Sequence, residues 1–157
     1  MNPSRSPRVL GRRGQGGFTL IEVMIAVLVL AVGLLGFALL QTMSVRFTQS
    51  ANFRTQATNL SYELLDQIRV NRVFAQAYVG DYTASTDAGD CESPTGANLT
   101  AAKYMTDWKC RMGKALGENA TAKVGRNGDQ MTVQITWGDE RWNPDADDTT
   151  FSASTRL

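Results

Sequence analysis

One carboxylate interrupts a long apolar run. From Phe18 to Val45 the only charged side chain is Glu22, and Val23 to Leu40 is 18 residues without a charge or a strong hydrogen-bonding group. Inside an apolar helix a carboxylate costs roughly 2.5–3.5 kcal/mol at the centre of a bilayer and less near its edge. Glu22 therefore needs either a cationic partner or a position from which it reaches water, and the residues alone leave both open. The other reactive groups are few. Cys91 and Cys110 are the two thiols, and Asp139, Glu140, Asp145, Asp147 and Asp148 cluster around Trp142 and Pro144. There is no histidine, which removes Ser-His-Asp triads, Cys-His dyads and His-ligated metal sites. No serine or acid lies in a motif that would supply a Ser-Lys site or a carboxylate pair. The acidic cluster lacks the spacing of an EF-hand loop, so a solvated acidic loop is favoured over a calcium site. The expectation is a protein with no catalytic residue, no cofactor and no metal.

The elements that position Glu22 follow from charge and hydropathy. The chain has 157 residues, a length for one modest domain with an appendage, and its 43% apolar content is that of a globular protein. A formal net charge of +1 argues against nucleic acid as a partner. That total conceals a basic start: residues 1–17 hold Arg5, Arg8, Arg12 and Arg13 and no acid. The apolar run behind them would be about 27 Å long as a helix, close to the hydrocarbon thickness of a bilayer. Four arginines before it, against Arg46 and Arg54 after it, place the N-terminus in the cytoplasm and the rest in the periplasm. A cleaved secretory signal fits less well. The run is too long, no Ala-x-Ala site follows, and Gln41-Thr42-Met43-Ser44 leads straight into a helical pattern.

That pattern continues to Phe74 without proline or glycine. Phe53, Ala57, Leu60, Leu64 and Ile68 recur at helical spacing, a stripe for packing on the chain's own domain. Residues 18–74 would form a stalk helix of about 85 Å, with 18–45 in the membrane and 46–74 amphipathic. Residues 75–99 read as a loop. Thr100 caps a helix over 101–116, which Gly117 stops, with Met105, Trp108, Met112 and Leu116 on one face. These four residues favour core packing over a ligand box. Strands are expected over 120–124, 130–137 and 149–156, with a turn at Gly125-Arg126-Asn127-Gly128. Met131, Val133, Ile135 and Trp137 alternate to one side of the second strand, and Phe151, Ala153 and Thr155 to one side of the third. The fold class is α+β, a small antiparallel sheet (about 120–156) laid on the stalk as a ladle. In an oxidising compartment Cys91 and Cys110 would form a disulfide rather than stay free, worth roughly 3 kcal/mol for such a loop.

Gly16-Gly17-Phe18-Thr19-Leu20-Ile21-Glu22 resembles the class III signal of type IV prepilins. A short basic leader ends in glycine, an aromatic residue follows, glutamate is fifth after the break, and the apolar helix continues unbroken. The resemblance implies that prepilin peptidase removes the leader (1–17) after Gly17 and methylates the new amine of Phe18. It implies that Glu22 of one subunit meets the Phe18 amine of a neighbour, fixing the register of adjacent helices, a well-attested use of a buried ion pair. Major pilins commonly carry a proline in the apolar half of the stalk. None occurs here between Pro7 and Pro94, which leans towards a minor pilin or pseudopilin. Ala31 to Gly36 followed by Leu40-Gln41, Gln67 to Arg72, and Val133 to Asp139 after the Trp108 helix look like minor pilins of the PilV type; 75–99 and 140–148 match no such pattern. The implied partners are prepilin peptidase, the major pilin and other minor pilins, the inner-membrane assembly machinery and the lipid bilayer. The implied role is to prime type IV pilus assembly and sit at the pilus tip, supporting twitching motility and adhesion. A minor pseudopilin of a type II secretion system would share the processing and the helix. A membrane-anchored periplasmic enzyme would instead keep its Gly17-Phe18 bond.

Overall fold

The computed structural model describes residues 16–91, 100–139 and 145–157, the side chains of residues 88 and 90 aside. The leader arginines, Pro94, Glu140, Trp142 and Pro144 lie outside the described residues. The chain divides into two compact units, residues 1–43 and 44–157.

In the first unit the described residues from Leu20 onward are all α-helical, and every side chain is exposed. This is the start of α1, which spans Leu20–Val70. It is one helix long and apolar enough to cross a membrane. Among the described residues this surface is exposed on every side, and an apolar surface of that kind requires an apolar environment or other helices.

In the second unit α1 buries Ala57, Leu60, Leu64 and Ile68, the stripe expected from spacing. The helix ends at Val70, short of the expected residue 74. A 3-10 segment over Arg72–Tyr78 replaces its last turn and is kinked at Phe74. The reason is tertiary: the turn drops Ala75 and Tyr78 into the core, and Asn71 Nδ2 donates to the Tyr78 hydroxyl at 3.2 Å. The expected loop over 75–99 is also corrected, because it contains strand β1, Gly80–Thr83. Strands β2 (Thr121–Asn127), β3 (Gln130–Trp137) and β4 (Thr149–Arg156) follow α2 (Ala101–Leu116). The strands form an antiparallel sheet in the order β1-β2-β3-β4. The expected turn at 125–128 moves to Gly128-Asp129. Gly125 stays in the ladder opposite Thr132, and Gly128 takes the positive φ of 61° that a two-residue hairpin asks of its first central position.

The core lies between the inner sheet face, α1 and α2. Met131, Val133, Ile135 and Trp137 are fully buried on β3, with Ala122 and Val124 beside them. Trp108 and Met112 of α2 are buried in the same cluster. The protein is thus α+β, with a long N-terminal helix whose second half packs on a small antiparallel sheet.

Candidate functional site

The chemistry at the N-terminal end is built by the start of α1. Gly16, Gly17 and Phe18 precede the helix and are exposed, Phe18 by 82%. Thr19 is where the helix begins. Its hydroxyl accepts the Glu22 N–H at 3.3 Å, and its carbonyl accepts the N–H groups of Glu22 at 3.1 Å and Val23 at 3.3 Å. Thr19 therefore satisfies donors that a helix start leaves orphaned. Glu22 lies in the first turn, where the partial positive charge of the helix N-terminus favours a carboxylate. Sequence reasoning missed the role of Thr19, although Thr-x-x-Glu is the recognised capping pattern. Phe18, Glu22, Val23, Ala26, Val27 and Leu30 line one open groove. Apart from Glu22, every side chain in this lining is apolar.

The second unit holds two polar clusters. In the first, Arg111 donates to Glu63 at 2.6 Å and to Asp107 at 2.9 Å, and the Tyr104 hydroxyl donates to Glu63 at 2.8 Å. Burial pushes the Glu63 carboxyl up, but the hydrogen bonds from Arg111 and Tyr104 and the Arg111 charge outweigh it and hold it below its ordinary value. Burial, then the Glu63 contact, raises Tyr104. This cluster fastens α2 to α1, and the same pair of helices is joined internally by the Trp108 Nε1–H donating to the Leu60 carbonyl at 3.1 Å. In the second cluster, buried Asp139 accepts from Ser50 at 2.6 Å and lies 3.8 Å from Arg54. Both clusters are internal clamps.

Cys91 and Cys110 form a disulfide with Cα atoms 5.3 Å apart. It ties the segment after β1 to α2. Of the acidic cluster, Asp139 is held by α1, whereas Asp145, Asp147 and Asp148 are exposed. Among the described residues no three His, Cys, Asp or Glu side chains are grouped as a metal site would require.

Residues 12–38 match the prokaryotic N-terminal methylation motif. With a long apolar helix behind it, this motif supports a type IV pilin-like protein, either a pilin or a pseudopilin, of structural rather than catalytic type, and it fits membrane anchoring. It implies processing by prepilin peptidase and association with pilus machinery. No curated protein and no solved structure matches the chain.

Proposed function

We propose that the chain is a non-catalytic minor pilin of the PilV type, a subunit of the complex that primes type IV pilus assembly in the inner membrane and occupies the pilus tip. The observation that carries this reading is Glu22, alone among exposed apolar side chains four residues after Phe18, within a methylation motif. In this reading residues 1–17 are removed, 18–45 span the bilayer, 46–74 complete the stalk, and 75–157 form the periplasmic domain. The methylated amine of Phe18 pairs with Glu22 of an adjoining subunit. Each charge alone would be costly in that low-dielectric setting, so the pair selects one axial register. Other minor pilins and the major pilin are the partners, and twitching motility and adhesion are the cellular readouts.

The test is mass spectrometry of the mature protein and of its Glu22→Ala variant, with each assayed for incorporation into sheared pili. Both chains are expected to begin at N-methylated Phe18. Incorporation of the variant is expected to fall at least about tenfold, because an unpaired amine is left in the apolar wall. An intact Gly17-Phe18 bond, or normal incorporation of the variant, overturns the reading.

A further inference from the structure

One face of the sheet meets the core, and the other is turned to solvent. On the outer face the register sets Thr83, Thr121, Thr136 and Thr150 in a single row across all the strands. With neighbouring strands about 4.8 Å apart, that row runs about 14 Å. Asp81, Lys123, Gln134 and Ser152 form the next row, and Thr132 and Ser154 continue the one after it. Asp81, Thr83, Thr121, Lys123, Gln134 and Thr136 line a depression of about 370 Å³, the size of a small-ligand site. Asp81 and Lys123 stand opposite one another in the ladder. Among the described residues, however, neither side chain makes an ion pair or a hydrogen bond, nor do those of Thr83, Thr121 and Gln134. The Thr136 hydroxyl is shared with Thr150 at 2.8 Å. The depression therefore offers a dense set of donors and acceptors that the fold itself does not use.

We propose that this depression on the outer sheet face binds a neutral oligosaccharide. Asp81 only accepts hydrogen bonds, Lys123 only donates them, and the Gln134 amide and the threonine hydroxyls do both. Sugar hydroxyls also do both, so a short run of them satisfies the whole lining at once. A phosphorylated or carboxylated ligand would meet the charge of Asp81, and a cationic one the charge of Lys123. An apolar ligand would leave the polar groups unpaired. The threonines are stiff at χ1 and are carried by paired strands, so little side-chain freedom is lost on binding. Their methyl groups give the C–H edges of a sugar ring a thin apolar contact. Among the described residues the outward positions of the sheet hold no aromatic ring, so recognition rests on hydrogen bonds spread along the threonine row rather than on stacking. All six lining residues belong to the second unit, which makes the site independent of processing at Gly17 and of the membrane segment.

The experiment uses the full chain in phospholipid nanodiscs free of glycoside detergent, with isotope-labelled threonine methyl groups followed by NMR. Maltohexaose, cellohexaose and chitohexaose are titrated separately. With at least one of them the signals of Thr83, Thr121 and Thr136 are expected to shift and saturate, while those of Thr48 and Thr58 on α1 stay in place. Asp81→Ala and Gln134→Ala should each weaken that binding at least about fivefold. Thr121→Val with Thr136→Val keeps the shape and the strand preference but removes two hydroxyls, and should weaken it at least about threefold, read at Thr83. Dextran sulfate, an anionic saccharide, should leave the three signals unmoved. No shift with any of the hexasaccharides, shifts confined to threonines elsewhere, binding of dextran sulfate in their place, or an affinity indifferent to the substitutions overturns the proposal.

Discussion

Glu63 shows how single residues join α1 to α2. Its carboxylate takes hydrogen bonds from Arg111 and Tyr104, which outweigh the cost of burial and hold its pKa below the ordinary 4.5. A lowered folded-state pKa stabilises the fold at pH above the unfolded value, and that contribution is lost as pH falls through the folded value. Glu63→Gln is therefore expected to cost up to about 1 kcal/mol at neutral pH, the size typical of a partly exposed pair. The gap in thermal midpoint between variant and wild type should close as pH falls below 4.5. A gap independent of pH would show that the loss comes from packing. Nothing in the sequence separates Glu63 from Asp66, the exposed acid beside it on α1, because its partners lie 41 and 48 positions away. Glu22 is the opposite case, conspicuous because its neighbours in the sequence are uniformly apolar.

At the scale of elements, local signals served where local chemistry decides. The Thr100 hydroxyl accepts the Lys103 N–H at 3.3 Å, and Gly117 ends α2 with a φ of 100°. Helical spacing places Met105, Trp108, Met112 and Leu116 in the core. β3 alternates because one face meets that core and the other meets solvent. β1 and the 3-10 segment left no such signal, since their conformations come from pairing with β2 and from anchoring Tyr78. Gly113 depends on tertiary context in the same way. A Cβ there would lie 2.5 Å from the Ser85 carbonyl oxygen, on a segment held by the Ser85 N–H donating to the Lys109 carbonyl at 3.3 Å and by the disulfide. In a free helix Gly→Ala would gain about 1 kcal/mol. Here the clash with backbone is expected to reverse the sign, so Gly113→Ala should lose about 1–2 kcal/mol in urea denaturation. Stabilisation by that change would show that the 84–87 segment can move aside.

For the whole molecule, the second unit is held by one core and one covalent tie. The bridge closes a separation of 19 residues, for which the chain-entropy model gives about 3 kcal/mol. Cys91→Ser with Cys110→Ser is expected to lower the unfolding free energy by about that amount, measured against wild type without reductant. An unchanged midpoint would mean that α2 and the preceding segment are held by their other contacts alone.

The sequence by itself determined the apolar start of α1, the processing motif, the buried stripe and the alternation of β3, because each is written in residues close together along the chain. Only the tertiary structure decided where α1 stops, that residues 80–83 form an edge strand, and which acid of α1 joins Arg111. Those features arise from contacts between residues distant in sequence, whose partners no local period or spacing encodes.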